Sequence, residues 1–373
     1  MRKFSIILIL LLKFLLIICE KPENILKVAK LVNNYFMNKY PDPTLPTNVG
    51  KIRPSNLWTR AVYYEGLMEL NSIEPQPEYL NYSLTWANFH KWTPRNGVKT
   101  TDADDQCCGQ TYINLLNYIE EKERKSKIIY LLENLDNQIN SYRVDYWTWI
   151  DAIQMAMPLY TQAYKLTGNR KYIDYAIKSY HWTRDECGEG LFNLENGFWW
   201  RDANFIPPFK EVDGNDCYWS RGNGWVYVAL VRVMEIIGEN DLYYNELEKD
   251  FILMSKAIAS VQRYDGFWNV SLVSPETFGG KETTGTSLFL SGMSWGIRKG
   301  ILPENIYRPI VDKAWEGLRT YSVHLDGFLG YVQGTGKAPS ESQPVTYTRV
   351  PDFEDFGTGC FLLGAIEYYR LIN

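Results

Sequence analysis

The chain has 373 residues and a formal net charge of -5, with Lys, Arg, Asp and Glu scattered along it and neither a basic stripe nor a polyacidic tail. That distribution argues against nucleic acid as a partner, and the length suits one large closed core as well as two ordinary domains. Aromatic rings supply 15% of the residues, with 13 Trp, 27 Tyr and 16 Phe; part of this is core, and the rest is of the kind that stacks on the apolar faces of sugars.

The first segment reads as a signal peptide over 1–19: Arg2 and Lys3, then an apolar run from Phe4 to Ile18 broken only by Lys13, then Cys19 before Glu20 and Lys21. The run is shorter than the roughly 20 apolar residues that span a bilayer. Leu16-Ile17-Ile18-Cys19 also resembles a lipobox, although Ile18 stands where a small residue is usual, so a lipid anchor on Cys19 is the alternative to simple cleavage. Either way the chain is expected to be exported, to the periplasm or the cell surface, with 20–373 as one catalytic domain.

Beyond residue 20, two kinds of helix alternate. Amphipathic segments with a charged face are predicted at 23–37, 77–89, 121–139, 170–182, 243–261 and 304–321. Each is followed by an apolar segment rich in small residues: LWTRAVYYEGLMEL from Leu57, DDQCCGQTYINLL from Asp104, WTWIDAIQMAMPLYTQAY from Trp147, SRGNGWVYVALVRVMEII from Ser220, TTGTSLFLSGMSWGI from Thr283 and FGTGCFLLGAIEYYRLI from Phe356. Helices apolar all round belong inside and those with one charged face belong outside. Six such pairs closed into a ring make an all-α (α/α)6 barrel, with short β-hairpins, such as one at 267–271, confined to rim loops. The inner segments all begin with polar or aromatic residues and Gly, so their starts gather at one rim, where helix N-termini offer free N–H groups.

Four clusters at those starts carry candidate chemistry. In Thr101-Asp102-Ala103-Asp104-Asp105-Gln106 one Asp suffices as a helix cap, which leaves Asp105 as a functional candidate. In Tyr146-Trp147-Thr148-Trp149-Ile150-Asp151 a carboxylate follows aromatic rings that desolvate it and raise its pKa, as a general acid requires, although a capping role explains the same position. Trp219-Ser220-Arg221-Gly222-Asn223-Gly224-Trp225 offers a guanidinium fork for a carboxylate, and Trp rings for sugar, around two glycines. Trp199-Trp200-Arg201-Asp202 either lines the same mouth or pairs Arg201 with Asp202. The five cysteines past residue 19, Cys107, Cys108, Cys187, Cys217 and Cys360, form neither a disulfide framework nor a C-x-x-C pattern, and His90, His181 and His324 are too scattered to suggest a metal site.

These words in this order resemble the unsaturated glycuronyl hydrolases of glycoside hydrolase families 88 and 105. The resemblance is carried by WIDAIQMAMPLYTQAYKLTGNRKYID, WSRGNGWVYVALVRVM, YDGFWNVSL, ETTGTSLFLSGMSWGIRKGIL and DFGTGCFLLG, and runs over about 50–371. It implies an (α/α)6 barrel, no cofactor or required metal, and a substrate bearing a 4,5-unsaturated uronic acid at its non-reducing end, as polysaccharide lyases leave. By the same resemblance the catalytic Asp matches Asp151 and a second pocket Asp matches Asp105. Trp219, Arg221 and Trp225, with Trp149, Trp200 and Arg201, are then expected to bind substrate. One departure stands out: the family commonly carries a His just before the Trp-Arg block, and this chain reads GFWWRDANF there.

The reaction so implied is hydration of a vinyl ether, with a rhamnose-linked acidic fragment as the favoured substrate. Two other readings fit the residues. In an ordinary glycosidase Asp105 and Asp151 would be an acid and base about 6.5–9.5 Å apart for inversion, or about 5–5.5 Å for retention. In a carbohydrate-binding protein the aromatic rim would serve without turnover.

Overall fold

A computed structural model describes residues 20–48, 51–349 and 354–373. The predicted signal peptide, 1–19 with its lipobox cysteine, lies outside the described residues. Outer helices run α1 Pro22–Lys39, α3 Pro77–Phe89, α7 Ile129–Ile139 (preceded by α6 Glu121–Lys127), α9 Lys171–His181, α11 Tyr244–Ser260 and α14 Glu304–Gly317. Inner helices run α2 Trp58–Ile73, α5 Cys108–Leu115 (preceded by α4 Ala103–Gln106), α8 Asp151–Thr167, α10 Ser220–Ile237, α13 Thr283–Arg298 and α15 Asp355–Ile372. One further turn, α12, spans Pro275–Phe278.

The inner helices pack in the cyclic order α2, α5, α8, α10, α13, α15 and back to α2, and α1 packs on α15, so the first outer helix closes onto the last inner one. This is the (α/α)6 barrel that the alternation predicts. Small residues let the inner helices approach: a Cβ on Gly359 would lie 2.2 Å from the Val62 carbonyl oxygen, and one on Gly285 would lie 2.0 Å from Ser220 Oγ. Nearly every residue of α8, α10, α13 and α15 is buried, whereas α1 and α9 bury one stripe.

Strands among the described residues are two antiparallel pairs, β1 (Thr47–Asn48) with β2 (Ile52–Arg53), and β3 (Phe192–Asn193) with β4 (Phe198–Trp199). The hairpin expected at 267–271 is absent. Residues 266–272 are buried without alternation and lie alongside the start of α10, with an antiparallel bridge between Ser271 and Trp219. All five cysteines are buried free thiols, and no described helix is long and apolar enough to cross a membrane.

A buried polar knot ties three inner helices and the α4–α5 junction together. Glu65 on α2 is fully buried, accepts from Gln154 Nε2 on α8 at 2.9 Å and from Cys107 Sγ at 3.4 Å, and pairs with Arg232 on α10. A carboxylate withdrawn from water is tolerable only with such partners. Gln154 lies one turn below Asp151, and Cys107 one turn below Asp104, so the knot supports the rim from beneath.

Candidate active site

The Asp151 carboxylate opens α8 because the preceding chain is pinned from the side. Trp149 forms an antiparallel bridge with Asp202, and the Ile150 N–H donates to the Arg201 carbonyl at 3.0 Å. That pairing lays Arg201 over Asp151: Arg201 Nε donates to Asp151 Oδ2 at 3.2 Å, and Nη1 donates to Asp202 Oδ2 at 2.7 Å. Asp202 is braced in turn by the backbone and side-chain N–H groups of Asn204 at 2.9 and 2.8 Å.

Asp151 faces a cavity of about 510 Å³ lined also by Asp104, Arg201, Trp58, Trp149 and Met155, with Lys51, Arg53, Lys337 and Glu341 among its further walls. Burial pushes the Asp151 carboxyl up, against the opposing pull of Arg201 and then Arg221. Burial, followed by the neighbouring charges of Asp102 and Asp151, pushes Asp104 up to about 8. Both carboxyls on the cavity are thus pushed toward the protonated form, and they differ in surroundings: Arg201 bonds Asp151, whereas Asp104 feels the charges of Asp102 and Asp151.

The second aspartate is displaced by one residue from the sequence expectation. Asp102 caps the short helix α4 by accepting from the Asp104 N–H at 2.9 Å, and this turn aims Asp104 at the cavity. Asp105 points the other way. It is buried and accepts from Arg95 Nη1 at 2.6 Å, Thr100 Oγ1 at 2.7 Å and Asn96 Nδ2 at 2.8 Å, holding the 95–100 loop in place.

The Trp-Arg block also acts differently from expectation. Arg221 is fully buried, and its fork closes on the chain itself, Nη1 donating to the Gln333 carbonyl and Nη2 to the Gly334 carbonyl, each at 2.7 Å. Trp219 Nε1 donates to Gln333 Oε1 at 2.8 Å, and Gln333 Nε2 ties to the carbonyls of Ala338 and Glu341 at 3.1 and 2.8 Å. Asn223 grips the other rim segment, accepting from the Trp199 N–H at 2.8 Å and donating to the Trp199 carbonyl at 3.0 Å. Trp225 is buried and meets Trp58 edge-on, with centroids 6.3 Å apart. Trp219 and Arg221 thus form a clamp beneath the rim, holding the 333–341 segment that carries Thr335, Gly336, Lys337 and Glu341 to the cavity, while Trp225 backs Trp58.

Of the other expected contacts, Trp149 and Arg201 line the cavity, whereas Trp200 turns away to pack near Tyr218 and the Phe205, Cys217 and Ala338 cluster. Trp58 is the ring that the sequence reading passed over; its signal was the LWTR start of the first inner helix. His90, His181 and His324 bond elsewhere, to Ser55, Glu246 and the Tyr347 carbonyl. No group of three or more His, Cys, Asp or Glu able to hold a metal ion occurs among the described residues.

The chain is similar to known proteins over most of its length. The sequence profile of Glycosyl Hydrolase Family 88 matches residues 28–372. An unsaturated 3S-rhamnoglycuronyl hydrolase of Formosa agariphila is 29% identical over 339 residues, covering 84% of this chain and 84% of that protein. A protein of the same name from an Alteromonas species is 28% identical over 347 residues, covering 85% of this chain and 78% of that one. A solved structure of a glycosyl hydrolase family 88 protein from Bacteroides vulgatus superposes with a TM-score of 0.84 at 32% identity, over 94% of this chain and 100% of that one.

Proposed function

The chain belongs to Glycosyl Hydrolase Family 88 and is a glycoside hydrolase, and from that premise we propose that it removes a 4,5-unsaturated uronic acid from the non-reducing end of lyase-generated, rhamnose-linked oligosaccharides. The relatives named for rhamnoglycuronyl substrates support the choice of sugar. The observation that carries the chemistry is the pair Asp104 and Asp151 on one cavity, both held toward the protonated form by burial and flanked by Arg201 and two Trp rings.

In this reading Asp151 delivers a proton to C4 of the C4=C5 double bond, and positive charge develops at C5 and the ring oxygen. Water adds at C5, returning a proton to the Asp151 carboxylate. One water is consumed, and the resulting hemiketal opens, releasing the next sugar and a 4-deoxy-5-keto uronate. Asp104 keeps its proton at neutral pH, so it donates a hydrogen bond to a sugar hydroxyl and places no negative charge beside Asp151 as that group gives up its proton. Arg201 holds Asp151 in position, and Trp58 and Trp149 offer faces for the sugar.

The test is spectroscopic. The ultraviolet absorbance of the conjugated acid should fall when the enzyme meets lyase-treated acidic polysaccharide, and saturated oligosaccharides should remain intact; cleavage of saturated substrates alone would refute vinyl-ether hydration. Export to the periplasm or cell surface is proposed from the 1–19 segment. Mass spectrometry of the N-terminus distinguishes cleavage from acylation at Cys19, and an intact Met1 in a cytoplasmic fraction would overturn both.

A further inference from the structure

The barrel has a second mouth, at the end opposite Asp151. A cavity of about 420 Å³ opens there between the C-terminal halves of all six inner helices, which contribute Glu69, Asn114, Gln162, Arg232, Ser291 and Glu367 in chain order. This size falls within the usual range of small-molecule sites, about 300–1,000 Å³. Its charges are already matched. Arg232 pairs with the buried Glu65, Arg298 with Glu367 at 2.7 Å, Arg370 with Glu367 and Glu69 at 2.9 and 2.6 Å, and Glu235 with Lys299 at 2.8 Å. An ionic guest would have to break one of these pairs or enter uncompensated, and either is costly away from bulk water. Hydrogen-bonding capacity, by contrast, is left over. Glu65 fixes Arg232 through Nη1 alone, and the other guanidinium N–H groups of Arg232 have no acceptor among the described residues. Asn114 accepts from Gln162 Nε2 at 2.9 Å, which leaves its own Nδ2 without an acceptor, and the Ser291 hydroxyl makes no hydrogen bond among the described residues. Gln162 Oε1 is buried with no donor. A sugar hydroxyl both donates and accepts, so a ring bearing several of them meets such a mixed set without bringing a charge. Val228, Val231 and Leu363 give the same cavity apolar walls for the C–H faces of that ring.

We propose that this far cavity is a second, non-catalytic binding site for a neutral monosaccharide, held by Arg232, Asn114 and Ser291. Its donors are fixed before any guest arrives, because Glu65 anchors Arg232 from behind and Gln162 anchors Asn114 from the side, and fixed donors lower the ordering cost of binding. The site lies at the other end of α8 from Asp151, so it is read by binding alone and stands or falls apart from the reaction proposed above.

Calorimetry with three free sugars, L-rhamnose, D-galactose and D-glucuronate, tests this on the full-length wild type, on Asn114→Ala/Ser291→Ala, and on Trp58→Ala, which strips a ring from the catalytic cavity instead. The double variant removes two donors and no ion pair, so the barrel should stand; if its melting temperature falls, the single Ser291→Ala carries the comparison. At least one neutral sugar should bind the wild type, and its affinity should drop about tenfold in the double variant, roughly the effect of 1.4 kcal/mol. The same affinity should be unchanged in Trp58→Ala. The neutral sugar that binds more tightly identifies the ligand. Absence of binding by both neutral sugars overturns the proposal, as does an affinity that survives in the double variant or one that falls in Trp58→Ala, which would place the sugar in the catalytic cavity. Tighter binding of glucuronate than of either neutral sugar, lost in the double variant, would make the far cavity an anion site and overturn it as well.

Discussion

Arg201 Nε donates to Asp151 Oδ2 across 3.2 Å while its Nη1 bonds Asp202, so one guanidinium holds the acid–base carboxylate and its neighbour together. Burial and this ion pair pull the Asp151 pKa in opposite directions, and burial is the larger. Arg201→Gln removes the opposing pull, so the pKa of Asp151 should rise further. Because the proton donor must be protonated, the alkaline limb of kcat/KM should move to higher pH. A pH profile of both enzymes reads the shift; a limb that stays in place or moves to lower pH would show that Arg201 does not set the proton affinity of Asp151.

Asp151→Asn keeps the size of the side chain and removes the transferable proton. Activity on unsaturated substrate should fall by about 10² to 10⁴-fold, the usual contribution of a positioned general acid–base group. Circular dichroism should be unchanged. Activity within a fewfold of wild type would remove Asp151 from the centre of the mechanism.

The neighbouring aspartates should separate cleanly. Asp105→Ala strips Arg95, Asn96 and Thr100 of a shared acceptor; a hydrogen bond to a charged group is worth about 1.5–3 kcal/mol, so the urea midpoint should drop markedly. Asp104→Asn should instead lower activity without that loss of stability. The folded pKa of Asp104, about 8, lies above its ordinary value of 3.8. Its contribution to stability is therefore fully present below the unfolded pKa and lost as pH rises through the folded one. Stability of the wild type should decline between those values, and Asp104→Asn should flatten the decline. Denaturation at several pH values measures both effects.

Arg221→Ala should behave as a structural lesion. Two buried carbonyls, of Gln333 and Gly334, lose their donors, at about 1–3 kcal/mol for a group left unsatisfied, and the 333–341 segment loses its anchor. Stability and kcat/KM should fall together. A raised KM at unchanged stability would show that Arg221 meets the substrate directly.

The barrel was readable because apolar, small-residue helices and one-faced helices alternate through the chain, and helical periodicity survives without tertiary information. Asp151 was readable from its place between aromatic rings and an apolar helix. Asp104 was not, since which of two adjacent aspartates points inward depends on the turn set by the Asp102 cap. Arg221, Trp219 and Trp225 are conspicuous in the sequence, but the same residues suit a sugar or the chain's own carbonyls. Gln333, the partner of Trp219 and Arg221, lies more than a hundred residues away, and no local pattern announces it.

The closure of α1 onto α15 has a consequence for how this enzyme comes into being. The cavity is walled by residues near both ends of the ring, Lys51 to Trp58 on one side and Thr335 to Glu341 on the other, and helix α15, which seals the first hairpin, is made after the other five inner helices. Contacts this distant in sequence form late, because the loop they close must be ordered before they reward it. During synthesis the nascent chain is therefore an open crescent with α2 and α13 lacking their shared neighbour. Catalytic competence should arrive in one step with α15, and a chain stopped before Asp355 should expose apolar inner faces to chaperones and proteases.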